Sequence, residues 1–153
     1  MIDEFEKLKD SEIESLLKAP LLVCILIAGA DGTIDKKEIR EAISFAQKQT
    51  KSQSLLAGYF GEVSQDFEDK LKILIQGYPY ESTQRNPLII QELQDLNNVL
   101  PKLSKTFALA LYNILKSIAE KIATSSGGLL GLKSIGNEEA RLINLPMINN
   151  PGS

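Results

Sequence analysis

The sequence predicts an all-α protein that forms a single compact bundle of about seven or eight helices. Apolar residues recur at helical spacing along almost the whole chain, and segments in which β-branched and aromatic residues alternate with polar ones are missing. The length of 153 residues, 43% of them hydrophobic and 24% charged, suits one globular domain with a substantial core. We therefore expect one helical domain over residues 1–148 and a loose tail over residues 149–153.

The first two predicted helices meet at Pro20. One helix runs from about Ser11 through Lys18, with Ser11 as its N-cap and Glu14 at the capping-box position. Pro20 either kinks this helix or opens the next one. Residues 20–30 are apolar on every face, so this segment is expected at the centre of the bundle, where other helices cover it.

The next predicted helix begins at Asp35. Its apolar residues share one face, and its basic residues lie largely elsewhere, on a surface that is most simply solvated. The apolar set is Ile39, Ile43 and Ala46, and the basic set is Lys36, Lys37, Arg40 and Lys48. The segment that follows, at residues 55–60, is less regular in its pattern.

Two further helices are indicated by apolar stripes and by residues typical of helix ends. Ser64 is expected to cap a helix that Gly77 and Pro79 end. Asn86 is expected to cap the next one, with Pro87 in its first turn. The inner face consists of Phe67, Leu71, Leu74 and Tyr78 in the first helix, and of Ile89, Leu93, Leu96 and Leu100 in the second.

The longest predicted helix runs from about residue 104 to residue 124. Its continuous stripe comprises Phe107, Leu111, Ile114, Ile118 and Ile122. A glycine-rich segment at residues 125–131 then breaks the helical pattern. A last helix is expected to start near Asn137, with two glutamates in its first turn.

The composition excludes several classes of function and of location. The net charge of −3 provides no basic field for nucleic acid or anionic lipid, and the absence of histidine excludes Ser-His-Asp and Cys-His catalysis. The lone Cys24 lies in an apolar run without a base, so we interpret it as part of the core. The N-terminus lacks the features of a secretory signal, and the apolar run at residues 21–30 has half of the roughly 20 residues that a membrane span needs. We therefore expect a cytoplasmic protein without an integral membrane segment.

Residues 30–38 join two helices by a tight turn that can be interpreted in two ways. As a structural turn, Gly32 ends one helix with a positive φ, and Asp35 with Glu38 forms a capping box on the next. As a cation site, the carboxylates of Asp31, Asp35 and Glu38 bind a divalent cation. Asp31 is the residue that the structural interpretation explains least. An EF-hand is not indicated, because the first two ligand positions hold residues without side-chain oxygens, and calcium takes about six or more ligands.

The glycine-rich segment is superficially similar to a phosphate-binding loop. Leu132 stands where glycine must precede the lysine, and a helix precedes the loop where a strand is needed, so nucleotide binding is not expected. Leu129 and Leu130 either tuck back under the bundle or stand exposed as a small apolar contact for a protein or membrane partner.

An apolar helix that runs into Ala-Asp-Gly, followed by Ile-Asp and a glutamate three residues later, resembles the first half-motif of TerB-like domains. This family is named for a tellurite-resistance protein. Residues 30–38 match that half-motif, and residues 118–131 with 137–139 are similar to a glycine-rich segment found in one branch of the family. The resemblance implies a compact helical bundle with a weak internal pseudo-two-fold repeat. It also implies a role linked to tellurite resistance and wider stress responses, for which association with metal ions has been proposed.

The sequence is compatible with such a repeat. Residues 27–38 and residues 122–139 each pass from an apolar helix through a glycine turn to a glutamate. The second copy departs from a strict repeat, because Ser125, Ser126 and Gly127 stand where aspartate is expected. This departure weakens any carry-over of a two-sided acidic metal site.

Two functions remain as hypotheses. The first is a non-enzymatic interaction or scaffold module of a stress response, which binds a protein partner and needs no cofactor. The second is a divalent-cation sensor. Its candidate ligands are Asp31, Asp35 and Glu38, completed by Glu138 or Glu139 if the two half-motifs face each other. An enzyme that uses only carboxylates is a more distant third hypothesis, because it needs paired carboxylates in a cleft.

Overall fold

The computed structural model describes residues 3–29, 34–124 and 137–152, and most of these residues are α-helical. The α-helices of these ranges are α1 (Asp10–Ala28), α2 (Lys36–Gln49), α3 (Ser54–Val63), α4 (Phe67–Gln76), α5 (Ser82–Gln94), α6 (Lys105–Ala123) and α7 (Asn137–Ile143). Short 3-10 turns occur at Asp3–Phe5, Asp95–Asn98 and Leu100–Lys102. No strand occurs in the described ranges, so the predicted all-α bundle is confirmed.

Helix α1 lies at the centre of the bundle, as its uniformly apolar sequence predicts. It packs against α2, α3, α5, α6 and α7, and every side chain from Leu21 to Ala28 is at most 2% exposed. Cys24 is among these buried residues, and burial raises the pKa of its thiol. The predicted role of Cys24 as a core residue is confirmed, because a buried neutral thiol behaves as a small apolar side chain.

The start and the continuity of α1 both differ from the prediction. The helix begins at Asp10 rather than after Ser11, and the backbone N–H of Lys9 donates to Glu12 Oε1 at 2.9 Å. The helix also continues through Pro20, which does not open a new one. Proline has no N–H for the carbonyl of Leu16, four residues earlier. The hydroxyl of Tyr59 in α3 donates to that carbonyl instead, so another helix supplies the missing donor.

Residues 54–66 differ from the prediction as well. The segment expected to be irregular is the regular helix α3, whose Tyr59 and Phe60 are fully buried. Ser64 follows the end of α3 and does not cap α4. Asp66 separates the two helices with a φ of 52°, a left-handed conformation that aspartate tolerates better than most residues and that interrupts a right-handed helix.

Helix α5 begins at Ser82, more than one turn earlier than predicted, so Asn86 is not its N-cap and Pro87 lies inside it. Pro87 leaves the carbonyl of Thr83 without its usual helical donor. Thr83 is an exposed residue in the first turn, where water can take the place of that donor. The helix can therefore tolerate this proline, and its predicted inner residues Ile89 and Leu93 are fully buried.

The C-terminal part of the fold agrees with the predicted elements. Helix α6 starts after Ser104, whose hydroxyl accepts the backbone N–H of Phe107 at 3.2 Å, and α7 starts at Asn137. Residues 149–152, predicted to be a loose tail, remain in contact with the bundle. The backbone N–H of Asn149 donates to Asn97 Oδ1 at 2.8 Å.

Helices α1 and α6 pack against each other, and each also packs against the helix that follows its glycine turn, α2 and α7 respectively. Residues 30–33 of the first copy and residues 125–136 of the second lie outside the described residues. The pseudo-two-fold repeat therefore stays a prediction. Within the described ranges, none of the helices combines the length and the hydropathy that a membrane span requires.

Candidate functional site

The acidic turn is described only from Ile34 onward, and Asp31 lies outside the described residues. Asp35 caps α2: its Oδ1 accepts the backbone N–H groups of Lys37 at 2.9 Å and of Glu38 at 3.4 Å. The side chain of Asp35 thus satisfies donors that the first turn of a helix leaves without partners. The predicted role of Asp35 as an N-cap is confirmed.

The other predicted cation ligands are only partly placed. Glu38 is half-buried in the first turn of α2. Glu138 and Glu139 belong to α7, but their side chains, like Leu129 and Leu130, lie outside the description. Among the described side chains, no three acidic, histidine or cysteine residues are grouped closely enough to hold a metal ion. The cation site and the contact at Leu129 and Leu130 therefore stay predictions.

An apolar groove runs between α1 and α4. Its walls are formed by Ile13, Leu17 and Leu21 from α1 and by Ile73 and Leu74 from α4, around a volume of about 370 Å³. Ile73 is 67% exposed and adds a large aliphatic side chain to the apolar lining of the groove. Ile73 and the apolar side chains of the groove form one continuous patch, and apolar patches rimmed by polar residues occur at binding sites.

The groove exists because α4 is embedded less deeply than its neighbours. All ten residues of α4 are described, and Leu71 is the only one that is fully buried. The predicted stripe of α4 turns inward, but Phe67 and Leu74 remain partly exposed. Ile73 lies out of phase with that stripe, so its position in the helical pattern was a signal from which this exposed site could have been predicted.

The charged side chains at the rim of the groove differ in whether they have hydrogen-bond or ion-pair partners. Lys18 pairs with Glu92, Nζ to Oε1 at 2.9 Å, and Lys70 Nζ donates to the backbone carbonyl of Glu62 at 3.0 Å. In the described part of the chain, the carboxylates of Asp10 and Glu14 take part in no ion pair and no hydrogen bond. Both lysines of the groove therefore have partners. The two carboxylates, which lie one helical turn apart on α1, have none among the described residues.

A second cavity lies near the C-terminal ends of α1 and α4. Its volume is about 490 Å³, and its lining includes Ile34, Ile75, Tyr78, Tyr80 and Arg85. The Arg85 side chain is almost completely enclosed, with 3% of the residue exposed. Burying a charged group in this way is costly unless it has partners.

Backbone carbonyls hold two of the nitrogens of Arg85. Nη1 donates to the carbonyl of Tyr80 at 2.8 Å, and Nη2 donates to the carbonyl of Gly29 at 2.9 Å. Gly29 follows the last residue of α1, and a Cβ atom built on it would lie 2.4 Å from Nη2. Such a contact is far below van der Waals distance, so this glycine permits the approach of the guanidinium.

Sequence reasoning missed Arg85, because a lone arginine in a helix is usually a surface residue. A signal was nevertheless present. Arg85, Ile89 and Leu93 are spaced four residues apart and so lie on one face of α5, and all three are buried. An arginine that continues the apolar stripe of its helix is a candidate for a buried, partner-dependent cation.

A polar network lies between the groove and the cavity. Glu92 of α5 accepts hydrogen bonds from Lys18, at the rim of the groove, and from the hydroxyl of Tyr78, in the wall of the cavity.

Comparisons of the chain with models of protein families, with curated proteins and with solved structures each find no match. The resemblance to TerB-like domains therefore stays a prediction from the sequence.

Proposed function

We propose that this chain is a non-enzymatic, TerB-like interaction module that binds a basic amphipathic helix of another protein in the groove between α1 and α4. The observation that carries the proposal is the exposed Ile73 at an apolar groove with acidic groups at its rim. A helix that lays its apolar face in such a groove would cover Ile73 and the side chains of α1 beneath it.

The charge of the groove favours a basic occupant. Asp10 and Glu14 are one turn apart on α1, so lysine or arginine residues one turn apart on a partner helix can face them. The ion pair of Lys18 with Glu92 is neutral overall, so the remaining charged residues that line the groove, Asp10, Glu14 and Lys70, sum to −1. An acidic partner would be repelled by this arrangement, and like charges in contact oppose association strongly.

Support for a non-enzymatic role comes from the chemistry of the residues. The chain has no histidine, and its one cysteine is buried with a raised thiol pKa, which makes it a poor nucleophile. The setting that we propose, a cytoplasmic stress response of the tellurite-resistance type, rests on the resemblance of the sequence alone.

Binding of model peptides tests the proposal. The probe is a fluorescein-labelled peptide of about 18 residues, or five helical turns, with leucine on one face and lysine elsewhere. The matched control replaces every lysine by glutamate. We expect the lysine peptide to bind at least about tenfold more tightly, as measured by fluorescence anisotropy, and to lose affinity as salt is added.

Two variants locate the binding site. Ile73→Asp places a charge in the groove. Leu88→Asp introduces the same charge at a leucine of α5 that is 48% exposed and does not line the groove. We expect Ile73→Asp to weaken binding by about 30-fold or more, as for a central interface residue, and Leu88→Asp to leave it unchanged. Equal binding of the two peptides, or equal losses in the two variants, would contradict the proposal.

A further inference from the structure

The guanidinium of Arg85 is a buried cation that the described part of the chain leaves incompletely satisfied. Arginine has five N–H donors, and Arg85 uses two of them, on the carbonyls of Tyr80 and Gly29. The buried Nε has no acceptor among the described residues. No carboxylate in those ranges forms an ion pair with Arg85.

A purely structural role explains part of this arrangement. Gly29 lies at the C-terminal end of α1, where the helix dipole favours a positive charge and carbonyls lack helical donors. Arg85 supplies both the charge and a donor there. Two neutral carbonyls do not balance the charge of a buried guanidinium, however, and among the described residues they leave Nε without an acceptor.

The surroundings of Arg85 indicate what could balance it. Arg85 lines a cavity of about 490 Å³, within the range of roughly 300–1,000 Å³ that is typical of small-molecule sites. The other described lining residues, among them Ile34, Ile75, Tyr78 and Tyr80, are uncharged and mostly apolar or aromatic. The described lining of the cavity thus offers a single positive charge and a mostly apolar wall.

We propose that this cavity binds a small organic carboxylate, with its charge at Arg85 and its hydrocarbon body against the aromatic and aliphatic wall. A carboxylate matches the geometry of a guanidinium and carries a single negative charge. A phosphate dianion would leave one negative charge without a partner beside an apolar wall. This site is separate from the groove between α1 and α4 and does not depend on the peptide that the groove binds.

Titration with octanoate tests the proposal on the unmodified protein. The chain contains three arginines, so three Nε–H signals are expected in a nitrogen-15 spectrum, and loss of one signal in Arg85→Lys identifies that of Arg85. We expect saturable movement of the Arg85 signal with octanoate, no comparable movement with the neutral isostere octanamide, and none with inorganic phosphate. Octanamide acting as strongly as octanoate, or an unmoved Arg85 signal, would overturn the proposal.

A pair of variants supplies an independent measure. Arg85→Met should weaken octanoate binding by about 10- to 100-fold, the loss expected when a hydrogen bond to a charged group is removed. Arg40→Met removes the same charge from an exposed arginine that does not line the cavity, and it should leave the dissociation constant unchanged. Unaltered binding by Arg85→Met would also overturn the proposal. If Arg85→Met does not fold, the titration of the unmodified protein still decides the question.

Discussion

Asp35 is the residue at which the two interpretations of the acidic turn lead to different measurements. Its carboxylate caps α2 through the N–H groups of Lys37 and Glu38. We expect Asp35→Ala to lower the free energy of unfolding by about 0.5–2 kcal/mol, equally in the presence of a chelator or of added calcium, magnesium or zinc. Thermal denaturation under each condition measures this loss.

Asp31→Asn is the control for the same experiment, because the cap does not require Asp31. We expect it to change the melting temperature little under all conditions. A melting temperature that rises with metal concentration in the unmodified protein, and no longer does so in Asp31→Asn, would favour the cation sensor.

Glu12 connects the start of α1 to a distant part of the chain. Lys102 Nζ lies 2.5 Å from Glu12 Oε2, and the backbone N–H of Lys9 donates to Oε1. The hydrogen bond from Lys102, followed by that from Lys9, holds the pKa of the Glu12 carboxyl below its ordinary value of 4.5. Because the folded pKa is the lower one, the stabilisation is fully present above the unfolded value and is lost as the pH falls through the folded value.

We expect Lys102→Met to raise the pKa of Glu12, as followed by the pH dependence of its side-chain carboxyl NMR signal. Lys105→Met removes an equivalent charge from a neighbouring lysine that does not contact Glu12 in the described structure, and it should leave the titration nearly unchanged. Identical midpoints for Glu12 in Lys102→Met and in the unmodified protein would show that the contact does not persist in solution.

At the scale of elements, the continuity of α1 depends on a hydroxyl from α3. The carbonyl of Leu16 receives no donor from Pro20 and accepts the hydroxyl of the buried Tyr59. Burial raises the pKa of this phenol, so it stays a neutral donor. We expect Tyr59→Phe to cost about 1–3 kcal/mol of stability, because it leaves a buried carbonyl without that partner.

A double-mutant cycle separates this cause from a general loss of packing. Pro20→Ala restores a backbone N–H four residues after Leu16. In the Pro20→Ala protein the carbonyl of Leu16 has a helical donor. Tyr59→Phe should therefore lower the free energy of unfolding less in that protein than in the one that keeps Pro20. Denaturant unfolding of the four proteins measures the coupling. Equal costs in the two backgrounds would mean that the hydrogen bond does not compensate for the proline.

The elements also differ in how far they could be predicted. Helices α2 and α6 begin where their caps, Asp35 and Ser104, place them, because a cap acts on N–H groups two or three residues away. The start of α4 was misplaced, since the left-handed conformation of Asp66 has no unique signature in the sequence. Pro87 misled the prediction of α5, because a proline typical of a first turn can also lie further inside a helix.

At the scale of the whole molecule, the candidate sites could be predicted less well than the fold. Burial of the run from Leu21 to Ala28 followed from its composition, because no soluble arrangement leaves such a helix uncovered. The groove was not predicted, since its shape depends on how far α4 is embedded against α1. The cavity at Arg85 was not predicted either, because it brings together the ends of α1 and α4 and the start of α5.

The sequence by itself determined the all-α class, the apolar face of most helices and the central place of α1. Periodicity and caps act over a few residues, so this information is local. Only the tertiary structure decided which buried polar groups have partners. Tyr59 reaches Leu16 across 43 positions, and Arg85 reaches Gly29 across 56. Contacts between such distant residues depend on how the helices pack together, which the pattern within each helix does not specify.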